Sequence, residues 1–79
     1  MKNETVVRSI NNDESNLCVD LFKRNNETFG YEEYRKDPES TSGWYRIGNY
    51  SNKIFLSINE AYQDALKKII WLQNKRWKL

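Results

Sequence analysis

Ser57-Ile58-Asn59-Glu60 opens a segment in which Ile58, Ala61, Tyr62, Ala65, Leu66, Ile69 and Leu72 recur at spacings of three and four. A serine followed three residues later by a glutamate fits a capping box. The hydroxyl accepts a backbone N–H of the first helical turn, and the carboxylate reaches back to another. The recurrence lays the apolar side chains along one stripe, with Glu60, Asp64, Lys67 and Lys68 on the opposite side. The spacing therefore predicts an amphipathic helix that ends near Gln73. A one-sided helix of this length is marginal in water on its own, so its stripe needs an apolar surface to cover. The rest of the chain offers strands, and a sheet is the surface they make.

Thr5 to Ile10 is a short β-prone run, and "NNDES" breaks it. Leu17 to Arg24 alternates more clearly. Leu17, Val19 and Leu21 share one face, and Cys18, Asp20 and Phe22 share the other. Asn25-Asn26 then predicts a tight hairpin, because asparagine tolerates positive φ. Thr28 to Lys36 is the returning strand, with Phe29, Tyr31 and Glu33 pointing one way and Glu32 and Tyr34 the other. Neither face is uniformly apolar, so one side of the sheet meets water. The loop "DPESTSG" holds the only proline, Trp44 to Gly48 follows as a strand, and Ile54 to Leu56 as a shorter one. The expected fold class is α+β: a three- or four-stranded antiparallel sheet with one C-terminal amphipathic helix packed on one face. Residues 1–79 make one small domain, in which 1–16 form a short edge strand or a loose segment and 74–79 a basic tail.

The string "FGYEEYRKDPES", the pair Gly43-Trp44 and "GNYS", followed by an alanine-spaced helix, resemble a group of small uncharacterised bacterial proteins. The likeness covers Cys18 to Leu72 and departs from the group's pattern at Lys36, where arginine is expected. It implies a compact strand-rich domain closed by a helix, in a bacterial setting, and no activity. A looser likeness in element order is to the three-strand-and-helix DNA-binding modules of plant transcription factors and of integrase arms. Their sheets are rich in arginine, whereas this one carries Glu32 and Glu33.

Composition narrows the chemistry. With 79 residues and 38% apolar content the core is thin, and the aromatic residues, 14% of the chain, must supply much of the burial. Cys18 is the only cysteine and histidine is absent. An internal disulfide, a cysteine-based zinc site and the usual general base are therefore out of reach. Glu32, Glu33, Asp37 and Glu39 are read as solvated surface, since neighbouring strand residues point to opposite faces and have no histidine or cysteine to work with. The expectation is no enzyme activity, no catalytic residue, no cofactor and no metal. The N-terminal residues lack the apolar stretch of a secretion signal and no run approaches a membrane span, which points to the cytoplasm.

Charge is distributed unevenly. Residues 1–66 carry eight bases and eleven acids, and residues 67–79 five bases and no acid. Lys67, Lys68, Trp71, Lys75, Arg76, Trp77 and Lys78 are accordingly the candidate partner-binding residues, Trp71 falling opposite the apolar stripe on a helical wheel. The competing reading is that this end folds back, its tryptophans patching the core and its bases facing the helix C-terminal dipole. Lys23, Arg24, Arg35, Lys36 and Arg46 alternate with acids on the strands and are read as cross-strand ion pairs on a wet face. The expected function is a non-catalytic binding domain for a protein partner, or a homodimer through an open sheet edge. The alternative is a nucleic-acid-binding accessory protein using the basic C-terminal helix and tail. Membrane attachment by the same tail ranks last.

Overall fold

A computed structural model describes residues 4–36 and 43–74. Its elements are the strands β1 (Glu4–Asn11), β2 (Leu17–Arg24), β3 (Phe29–Lys36) and β4 (Trp44–Arg46) and the helices α1 (Ile58–Lys68) and α2 (Ile70–Gln73). The four strands pair antiparallel in the order β1-β2-β3-β4, and the helices cover one face. The α+β class expected from the alternation is the fold observed. The run at Thr5–Ile10 is a full edge strand of the same sheet.

β1 carries a bulge. Val6 lies opposite Phe22 while Arg8 lies opposite Leu21, which leaves Val7 as the extra residue. The shift keeps Ile10 opposite Val19 on the helix-covered side, and Ile10 is the one buried residue of the strand. Asn12 builds the β1–β2 turn, its Oδ1 accepting the N–H groups of Asn16 and Leu17 at 3.0 Å each. In the β2–β3 turn the positive φ falls on Glu27 (67°) rather than on an asparagine. Asn26 contributes differently, its Oδ1 accepting from the Thr28 hydroxyl and N–H.

The strand expected over Trp44–Gly48 stops at Arg46. Ile47 and Gly48 both turn their N–H groups to the Glu33 carbonyl. The segment 54–56 makes a single bridge, Phe55 to Phe29, and not a strand of its own. Val19, Leu21 and Tyr31 from the sheet meet Ala61, Tyr62, Ala65, Ile69 and Leu72 from the helical end, with Ile10, Phe29, Tyr50, Phe55, Ile58 and Leu66 around them. The Tyr31 phenol is fully enclosed and donates to Asp64 at 2.7 Å, so its polar tip is satisfied inside the core.

Ser57 caps α1, its Oγ accepting from the Glu60 N–H at 3.1 Å. Glu60 reaches back to the N–H of Leu56, one residue before the cap. The helix does not run unbroken to Gln73. Ile69 is extended (φ −117°, ψ 105°), which ends α1 and starts the single turn of α2. Both Ile69 and Leu72 are buried across this break, and the side chain of Gln73 donates to the Leu66 carbonyl at 2.6 Å.

Candidate functional site

The sheet face away from the helices divides into two ends. At one, Phe22 of β2 lies opposite Gly30 of β3, and Glu32 follows on the same face. The Arg24 guanidinium stacks over the Phe22 ring, 4.9 Å from its centroid. It donates to the carbonyls of Phe29, Ser51 and Lys53 and to the Thr28 hydroxyl. A Cβ on Gly30 would stand 2.7 Å from Arg24 Nη2 and 2.8 Å from the Phe22 ring, so the close stack depends on that glycine. Glu32 completes the closure. Its carboxylate accepts the N–H groups of Glu33, Tyr50 and Ser51 at 3.0–3.2 Å and the residue is 1% exposed. The chain after β4 is thereby clamped against the β3 edge by one acid and one base. Lys53, from the same segment, pairs with Asp64 of α1 at 2.8 Å.

These contacts correct two expectations. Glu32 is not solvated surface. A carboxylate can be buried when backbone N–H groups converge on it, and here the adjacent Glu33 supplies one and the distant Tyr50 and Ser51 supply two. Arg24 is not in a cross-strand ion pair on a wet face but bonded to three main-chain carbonyls and a hydroxyl.

At the other end nothing among the described residues crosses the face. Ser9 and Asn11 of β1, Cys18 and Asp20 of β2, Tyr34 of β3 and Trp44 of β4 line a shallow hollow of about 470 Å³ that spans the sheet. Trp44 is 43% exposed. Asp20 stands opposite Ser9 at the side of the hollow nearest the clamp, its Oδ1 accepting from the Ser9 hydroxyl at 2.6 Å and from the Cys18 thiol at 3.4 Å. Burial, and after it the Asp20 charge, push the Cys18 thiol up to about 12. It is protonated at neutral pH and a poor nucleophile. Burial and then Asp20 push the Tyr34 phenol up as well. The hollow thus offers a fixed carboxylate on β2, two rings on the neighbouring β3 and β4, and some neutral polar groups, an arrangement suited to holding a ligand group. Among the described residues no group of three or more metal-ligating side chains is clustered.

The residues singled out by charge fare differently. Lys67 and Lys68 are exposed on the last turn of α1. Trp71 is half-buried against the core, and its indole Nε1 donates to Glu33 Oε2 at 2.9 Å. The helical wheel had set it opposite the stripe. The extended Ile69 rotates α2 relative to α1 and brings the ring back to the sheet. Lys75, Arg76, Trp77 and Lys78 lie outside the described residues, as do Asp37 and Glu39. Sequence reasoning missed the hollow. The one trace of it was the polar alternation of Cys18, Asp20, Glu32 and Tyr34 on a shared face. No described helix is long and apolar enough to cross a membrane. No known protein family, characterised protein or solved structure shows significant similarity to the chain.

Proposed function

We propose that this chain is a non-catalytic binding domain that engages a protein partner through the open end of its uncovered sheet face. The observation that carries the reading is Trp44, a large ring 43% exposed at the rim of a hollow on a hydrogen-bonded sheet. Exposed tryptophan and tyrosine beside a concavity are the residues on which protein interfaces concentrate their binding energy. A rigid sheet presents them at little ordering cost. Pairing of two copies through β1 fits less well, because the bulge at Val7 interrupts the edge.

The second reading is a nucleic-acid-binding accessory role. It is favoured by the excess of bases in residues 67–79, with Lys67 and Lys68 exposed. It is weakened by Trp71, whose indole is committed to Glu33 and does not present a free stacking ring. Immobilised protein, incubated with an extract of its source organism, tests the two together. The expected result is a partner captured by the native chain and lost with Trp44→Ala, but kept with the double variant Lys67→Glu and Lys68→Glu. Capture that survives Trp44→Ala, is lost on charge reversal and weakens steeply with salt would support nucleic acid instead.

A further inference from the structure

Resting on that reading, we infer that the hollow recognises a cationic side chain of the protein partner, a lysine or arginine whose charge meets Asp20 and whose stem lies along Tyr34 and Trp44. Among the described lining residues Asp20 is the one charged group. Ser9 and Cys18 hold its Oδ1 in place, so the carboxylate is preorganised on the second strand of the sheet rather than swinging on a surface. Both donors are neutral, so they fix the carboxylate without cancelling its charge. That charge is felt across the hollow, since it contributes to the upward displacement of both the Cys18 thiol and the Tyr34 phenol.

The rings add to the selection. A cation over the face of tryptophan or tyrosine is attracted by the ring quadrupole, and an alkyl stem packs on the same surface. An acidic peptide segment or a phosphate would instead meet the Asp20 carboxylate with no compensating cation among the described lining residues. Three described bases share this face, and Arg24 is committed to the clamped end by its bonds to main-chain carbonyls. Lys36 lies opposite Trp44, and Arg46 lies opposite Tyr34. The Arg46 guanidinium donates to the Ser51 hydroxyl at 3.2 Å, and its charge acts on the Tyr34 phenol against that of Asp20, with burial and Asp20 outweighing it. The volume, about 470 Å³, falls within the ~300–1,000 Å³ of ordinary ligand pockets.

The test uses the full chain and four blocked tripeptides that differ only at the central residue: lysine, arginine, norleucine and glutamate. Amide and indole NMR signals are followed during titration. The lysine and arginine peptides are expected to shift Ser9, Cys18, Asp20 and the Trp44 indole, with affinity on the order of millimolar or weaker. Asp20→Asn keeps an oxygen that can accept from Ser9, and its spectrum reports whether the fold is intact. It should weaken the lysine peptide at least about tenfold, the loss of a partly desolvated charge pair. Equal shifts from norleucine, no shift from any peptide, or a folded Asp20→Asn that binds as tightly as the native chain would each overturn the inference. A captured partner that Trp44→Ala loses and Asp20→Asn keeps also overturns it, while leaving the protein-binding reading in place. A peptide response with no captured partner supports the cation chemistry and removes the protein reading instead.

Discussion

Asp20 and Glu32 face each other across β2 and β3, on the same side of the same sheet, yet they meet opposite fates. Glu32 is sealed under the chain that returns after β4, with three backbone N–H groups on its carboxylate. Asp20, one strand over, is held by two side chains and opens into the hollow. Nothing in the alternation of either strand separates them. The difference lies in where the following segment travels. It hugs the β3 edge beside Glu32, Gly30 and Arg24, and no described residue covers the Trp44 end of the face. An acid on a sheet becomes structural when main-chain donors are brought to it, and stays available for binding when they are not.

That contrast can be broken most directly at the acids themselves. Glu32→Ala would strand the N–H groups of Glu33, Tyr50 and Ser51 and empty a buried site. It is expected to cost about 3 kcal/mol or more, whereas Asp20→Ala should cost at most ~1 kcal/mol. Guanidinium denaturation of the two variants compares them, and equal losses would refute the division of the face. Next in size is Gly48→Ala. A Cβ there would lie 2.5 Å from Glu32 Oε2 and 2.6 Å from the Tyr50 ring. The overpacking should cost ~1–3 kcal/mol, while Trp44→Ala at the open end should cost about 0.5 kcal/mol or less. A smaller effect is expected on the helical side, where Trp71→Phe deletes the donor to Glu33 and keeps an aromatic ring. A loss of about 1 kcal/mol in thermal or chemical unfolding fits that one bond, and an unchanged midpoint would mean the contact contributes nothing.

The smallest effect is a pH dependence at the clamp. Burial raises the Asp64 carboxyl, but hydrogen bonds from Lys53 and Tyr31 outweigh it and hold the group below its ordinary value. A folded-state pKa below the unfolded one gives stability that is present above about pH 4 and is lost as pH falls through the folded value. Both partners are partly exposed, so the gain is modest. Asp64→Asn should flatten the acid limb of the stability curve between about pH 4 and pH 2 relative to the native chain. An identical limb would show that other carboxylates carry it.

Where local pattern decides structure, the sequence was readable. Leu17–Arg24 is a strand with the bounds its alternation implied, and Ser57 and Glu60 cap α1 as their spacing required. The stripe through Ile69 and Leu72 is buried too, but its even spacing concealed the extended residue that divides the helix. Trp71 falls opposite the stripe only on an unbroken wheel; the break at Ile69 returns it to the core, as the competing reading of a folded-back end had it. The clamp was not legible, and of the hollow only the polar alternation of Cys18, Asp20, Glu32 and Tyr34 showed. Both depend on the path of residues 47–55, and Glu32 is joined to Tyr50 and Ser51 through their backbone N–H groups, which are the same whatever side chains stand there. Of the basic end, Lys67 and Lys68 are exposed as the helical face demanded.

The bulge in β1 has a bearing on how this domain behaves in a crowded solution. An edge strand of eight residues with Val6 and Val7 exposed is the kind of template on which other chains polymerise. Because Val7 is an extra residue, the outer row of hydrogen-bonding groups falls out of step midway. An incoming straight strand can match the stretch before it or the stretch after it, but not both. The edge is thereby divided into two pieces of three and four residues, each shorter than the six- or seven-residue segments that form stable steric zippers. One inserted valine sets Ile10 into the core and, by the same displacement, gives the domain a built-in terminator against fibril growth along its open side.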